Sequence, residues 1–143
     1  MQANAAGVTM TALAHGLDVR LSHGPSASEL ATAPPKDNGG TGAAFSPTDL
    51  VGAALAACAL TTMALAAARE GRAWGDAGTT VVKVMGGPPR RIAGLALELR
   101  MPAGLAPSVR ARYEEIARGC PVARSLGADV RAPMSFVYSA AAT

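Results

Sequence analysis

The stretch Ser46 to Ala68, SPTDLVGAALAACALTTMALAAA, decides how this chain folds, because it carries a start signal and then no polar face. Ser46 can cap a helix, Pro47 has the φ angle wanted at the first helical position, and Asp49 is placed to reach back as a capping-box acid. The helix is expected to run to about Arg69 and to end near Gly71. From Leu50 to Ala68 it is apolar on nearly every side, so it has to be covered all round. The run approaches the length of a bilayer span. Its alanine content, Thr61 and Thr62, and the lack of an aromatic belt make a buried helix the better reading. A small sheet cannot wrap such a helix alone. A partner subunit is therefore expected to supply part of the cover, which makes the protein an intimate homodimer.

Outward from that helix, the chain reads as alternating strands and amphipathic helices. Thr79 to Met85 and Ile92 to Met101 form an expected hairpin joined by GGPPRR, with Leu95, Leu97, Leu99 and Met101 in period two. Ala106 to Arg118 places Val109, Tyr113, Ile116 and Ala117 at helical spacing, and Gly119 stops it. Cys120 precedes Pro121 and can cap a short helix reaching about Leu126. Ala132 to Tyr138 closes the chain as a strand, with Pro133 pointing to a sheet edge. Before the long helix, Gly7 to Ala14, Leu17 to His23 and Ser28 to Ala33 read as short strands, with turns at His15 and Gly16 and at GPSA. The loop PPKDNGGTGAA follows, and its GGTG lacks the Lys and Ser/Thr spacing of a phosphate-binding loop. The expectation is one α+β domain over 1–143.

Composition narrows the function. A chain of 143 residues can bury one core. Its net charge of +3 comes from scattered Lys and Arg, and aromatics make up 3%, so nucleic-acid binding is not indicated. The opening MQANAAGVTM has no charged segment leading into an apolar one, as a secretory signal would. The cytoplasm, where thiols stay reduced, is the expected compartment. His15 and His23 have no Cys or carboxylate at ligand spacing, so turn or surface roles are expected for both and no metal site is. Ser135 and Ser139 build no Ser/His/Asp arrangement.

The candidate chemistry lies with Cys58, inside the long helix, and Cys120, at the start of CPVARSL. Buried free cysteine often serves packing alone. Two helical thiols also suit a redox cycle. A thiolate attacks peroxide and becomes a sulfenic acid, and a second thiol traps that product as a disulfide. Cys58 in its apolar setting suits the attacking role for greasy peroxides. Cys120 suits the resolving role by position, although a helix start also favours a thiolate there. The residues alone leave the order open.

The stretches FSPTDLVGAALAACALTTMALAA and IARGCPVARSL, with KDNGGTGAAFSPTDL and KVMGGPPRRIAGL, resemble the family of organic hydroperoxide resistance and osmotically inducible proteins. The resemblance runs from about Leu17 onward. It implies an intertwined α+β homodimer in which two central helices pack together, wrapped by antiparallel sheets. It also implies cofactor-free reduction of organic hydroperoxides, with Cys58 peroxidatic and Cys120 resolving. An external dithiol or dihydrolipoyl-type reductant would reopen the disulfide. Peroxidases of the family carry Glu directly after the helix-start proline, where this chain has Thr48, followed by Asp49. On a straight helix Thr48 lies about 80° and roughly 15 Å of rise from Cys58, and Asp49 about 180° around. Asp49 is thus a cap, or a site residue acting only from an antiparallel partner helix. The family's activating arginine has two counterparts to choose from, Arg20 on a strand or Arg90 and Arg91 at the hairpin end. These departures leave a second reading, a dimer that binds an apolar small molecule between its central helices.

Overall fold

Period-two alternation and turn chemistry build two three-stranded sheets within residues 6–139, the part of the chain that the computed structural model describes. The first half of the opening MQANAAGVTM stretch, residues 1–5, lies outside the described residues. The chain divides into two compact units, Met1–Leu50 and Val51–Thr143.

In the first unit, β1 (Met10–His15), β2 (Asp18–His23) and β3 (Glu29–Thr32) form an antiparallel sheet in that order. β1 starts at Met10 and not at Gly7, because Met10 pairs with His23, the last residue of its partner strand. The turn between them holds Gly16 at φ +64, a conformation that a residue without Cβ adopts freely. His23 has the expected turn role, with Nδ1 2.6 Å from Ser26 Oγ. The loop after β3 contains one 3-10 turn, Lys36–Asn38, that its Pro and Gly content concealed. At the end of the unit the capping box forms as read. Asp49 Oδ2 accepts from the Ser46 amide at 2.9 Å, and Ser46 Oγ accepts from the Asp49 amide at 3.1 Å.

The long helix, α1 (Pro47–Arg69), has the expected bounds. It is followed by β4 (Gly78–Gly86), β5 (Arg91–Arg100), α2 (Pro107–Arg118), α3 (Pro121–Ser125) and β6 (Met134–Val137). β4 and β5 make the expected hairpin, but β6 joins β5 in parallel, pairing Leu97 with Met134 and Leu99 with Phe136. The first sheet and the β4–β5 pair are antiparallel as expected, and the expectation of antiparallel sheets is corrected only at β6. The chain leaves β5, crosses through α2 and α3, and returns in the same direction, as parallel pairing requires. Pro133 stands just before β6, an edge strand, where a missing amide is tolerated.

The core of this unit lies between the β5 leucines and two helices. Leu95, Leu97 and Leu99 point inward and meet Leu55, Ala59, Met63 and Ala67 of α1 and Tyr113 and Ala117 of α2. Gly52 lets α1 come close to the sheet: a Cβ there would sit 3.3 Å from the Leu95 side chain. Only the stripe Gly52, Leu55, Ala59, Met63 and Ala67 of α1 is buried, and Ala54, Ala57, Thr61, Leu65 and Ala68 are exposed. Cover on every side of α1 is thus not provided by this chain. By length and composition α1 could also cross a membrane, although its buried stripe belongs to the core just described.

Where α1 ends, a polar network ties it to α2. Glu70 accepts from Arg112 Nε at 2.7 Å and also from Arg112 Nη2, while its other oxygen accepts from the Tyr113 hydroxyl at 2.8 Å. Arg112 first, and then Tyr113, hold the Glu70 carboxyl below the usual range. Arg72 Nε donates to the Tyr113 oxygen at 3.0 Å, and Trp74 packs on the Tyr113 ring with centroids 4.8 Å apart.

Candidate functional site

Cys58 sits on α1 one position before Ala59 of the buried stripe, which leaves its side chain half-buried at the margin of the core. Cys120 occupies the N-cap of α3 and is fully buried. Pro121 follows it without an amide hydrogen, so Val122 offers the first N–H of that turn. This N–H, the Thr62 hydroxyl and the Cys120 thiol all favour the Cys58 thiolate. Thr62 is one helical turn beyond Cys58, and its Oγ1 lies 3.8 Å from Sγ. The structure therefore brings the two cysteines of the sequence into one site within the second unit.

The two thiols are not equivalent. Partial burial raises the pKa of Cys58, but the Val122 amide, the Thr62 hydroxyl and the Cys120 thiol together bring it below the ordinary thiol value. Cys120 moves the opposite way. Desolvation is the main cause, the bond to Cys58 and its charge add to it, and the Ala123 and Val122 amides oppose it. Of the two thiols Cys58 is therefore the easier to deprotonate and Cys120 the harder. All three groups that lower the Cys58 pKa are uncharged.

Beside Thr62 opens a cleft of about 320 Å³, lined also by Arg112, Glu115, Ile116, Gly119 and Arg124. Arg124 is fixed there by a 2.7 Å bond from its Nε to the Gly119 carbonyl.

The remaining candidates lie elsewhere. Asp49 is engaged in the capping box of the first unit. Arg20 is exposed on β2, where it lines an open cavity with Leu13, His15, Asp18, Val19 and Ala31. Arg91 begins β5 and pairs with Asp129 at 3.5 Å, as a solvated hairpin end would. Sequence reasoning missed Thr62 and the Val122 amide. The first was open to discovery, because a residue four places after Cys58 shares its helix face. The second is a backbone group of a distant turn and leaves no mark in residue identity.

The OsmC-like protein family matches residues 40–133. No curated protein sequence matches the chain. Among solved structures, a Psychrobacter arcticus protein provisionally described as an osmotic stress induced and detoxification response protein is similar at 30% identity and TM-score 0.86, over 94% of this chain and 99% of that one. An organic hydroperoxide resistance protein from Legionella pneumophila is similar in fold at 22% identity and TM-score 0.74, over 92% and 96% of the two chains. Another from Elizabethkingia anophelis has 17% identity and TM-score 0.77, over 96% and 100%.

Proposed function

The chain belongs to the OsmC-like protein family, and on that premise we propose that it is a thiol-dependent peroxidase reducing organic hydroperoxides. The observation that carries this reading is the meeting of two free thiols of unequal burial, Cys58 half-buried and Cys120 buried at the start of α3, an arrangement that lowers the pKa of the first and raises that of the second. The Cys58 thiolate attacks the distal peroxide oxygen. An S–O bond forms, the O–O bond breaks, and the departing alkoxide takes a proton and leaves as an alcohol. The Cys120 sulfur then attacks the Cys58 sulfenic acid. An S–S bond forms, and hydroxide leaves as water with the Cys120 proton. An external dithiol of dihydrolipoyl type supplies two electrons by thiol–disulfide exchange and itself ends as a disulfide. This cycle uses no metal or organic cofactor.

The working unit in this reading is a cytoplasmic homodimer of one OsmC-like domain, 1–143. The exposed stripe Ala54, Ala57, Thr61, Leu65 and Ala68 supports it, because small residues let a second copy of α1 approach closely. Asp49 and Arg20, both in the first unit, stay with the proposal as candidate catalytic groups. Asp49 could act on Cys58 only from the partner subunit, given the rise of a straight helix.

The test is the intact mass and free-thiol count of the reduced protein after one equivalent of cumene hydroperoxide, with hydrogen peroxide alongside. The organic peroxide should remove two protons and both thiols rapidly. Cys58→Ser should abolish consumption, and full consumption by that variant would refute the mechanism. Thr48, at the position where family peroxidases carry Glu, favours a second reading, an apolar-ligand-binding dimer. A co-purified lipid together with no peroxide turnover would select it.

A further inference from the structure

Thr62 stands at a junction in the second unit. Its Oγ1 lies 3.8 Å from the Cys58 sulfur, and the same residue lines the cleft formed with Arg112, Glu115 and Arg124. A threonine hydroxyl in a helix commonly bonds the carbonyl one turn back. Here the residue one turn back is Cys58, and the hydroxyl is within reach of its sulfur. A hydroxyl can donate to a thiolate, which has no proton of its own to give, so this contact is strongest in the reactive form.

We propose that Thr62 is a positioning residue for Cys58, whose hydroxyl donates to the sulfur and holds the thiolate beside the cleft. The part of this inference that concerns peroxide rests on the peroxidase reading above. Thr62 exchanges neither protons nor electrons. As the S–O bond forms and the O–O bond breaks, the departing alkoxide is protonated from water, and the Thr62 hydroxyl passes from the thiolate to the less basic sulfenic sulfur.

The charged and titrating groups around it are known. Arg112 and Glu115 come from α2 and Arg124 from α3, and Cys120 is the second thiol. Arg112 is already paired with Glu70, and Arg124 with the Gly119 carbonyl. Thr62→Val keeps the β-branched shape and removes only the hydroxyl. Thr62→Ser keeps the hydroxyl and serves as the rescue variant.

The measurement is site-resolved alkylation of Cys58 between about pH 5 and 10, read by peptide mass in wild type and both variants, with cumene hydroperoxide consumption alongside. In Thr62→Val the alkylation midpoint should move up by about half to one pH unit, and the rate at neutral pH should fall about three- to tenfold. Thr62→Ser should recover most of both. A Thr62→Val profile that superimposes on wild type would overturn the proposal, and so would a Thr62→Ser profile displaced as far as that of Thr62→Val. Alkylation needs no peroxide, so the two readings separate. A shifted profile in a protein that consumes no peroxide supports the positioning role and removes the peroxidase reading. An unshifted profile in an active peroxidase does the reverse.

Discussion

The two sheets of this molecule have the same number of strands and opposite relations to water. In β5 the inward leucines are sealed, with Leu95 and Leu99 at 0% exposure and Leu97 at 3%. In the first sheet Met10 is 67% exposed, Leu13 71% and Leu30 47%, and among the described residues of that unit only Thr32, Ala33 and Ser46 are buried. Burial of each inward leucine contributes on the order of 2 kcal/mol. The second unit draws on that term within its own residues. The apolar side chains of β1 to β3 gain almost none of it from this chain, so their stabilisation has to come from another surface, in the proposed dimer a second copy. Apolar residues in a strand mark a face to be covered. They do not say which chain covers it.

This contrast can be attacked by substitution, beginning where most is at stake. Leu99→Ala removes a fully buried side chain from between β5 and the helices and should cost about 2–5 kcal/mol in denaturant unfolding, independent of protein concentration. A smaller loss would mean that the second unit is less self-sufficient than its burial implies. Tyr113→Phe leaves the ring against Trp74 and removes one hydroxyl that bonds both Glu70 and Arg72, and should cost about 1–2 kcal/mol. If the thermal midpoint does not move, the tie between α1 and α2 is ornamental.

The thiols give a chemical version of the same test. Cys58, with its lowered pKa, keeps a thiolate to lower pH than Cys120, whose pKa is raised. Near neutral pH a small alkylating reagent should label half-buried Cys58 faster than buried Cys120, by about tenfold if the two pKa values stand one unit apart. Equal rates at every pH would remove the asymmetry on which the proposed order of attack depends. The smallest expected effect is that of Leu13→Ala. At high dilution it should lie within about 0.5 kcal/mol, as for an exposed side chain, and it should grow as protein concentration rises. An equally large loss at every concentration would place Leu13 in a core of its own chain.

Much of the fold was legible because its signals are local. Ser46, Pro47 and Asp49 announced α1, and the capping box formed with both reciprocal bonds. The alternation of Leu95, Leu97 and Leu99 announced β5 and its inward face. Strand ends were less legible. β1 stops pairing where β2 ends, and β6 is confined to Met134–Val137, with Pro133 just before its start. The parallel entry of β6 was not legible, since pairing direction depends on the path of the chain through α2 and α3. Within the candidate site, both cysteines were identified from their contexts, but the inequality between them was not. It depends on a Val122 amide from a turn far along the chain, and a backbone group carries no signature in the sequence.

The amino-acid sequence by itself determined the elements, the apolar faces and the two thiols, because capping chemistry, period and residue type act over a few neighbouring positions. Only the tertiary structure decided which thiol gives up its proton more readily. That choice depends on the balance between desolvation and a few hydrogen-bond donors at one sulfur, and the donors come together only when α1 and α3 pack.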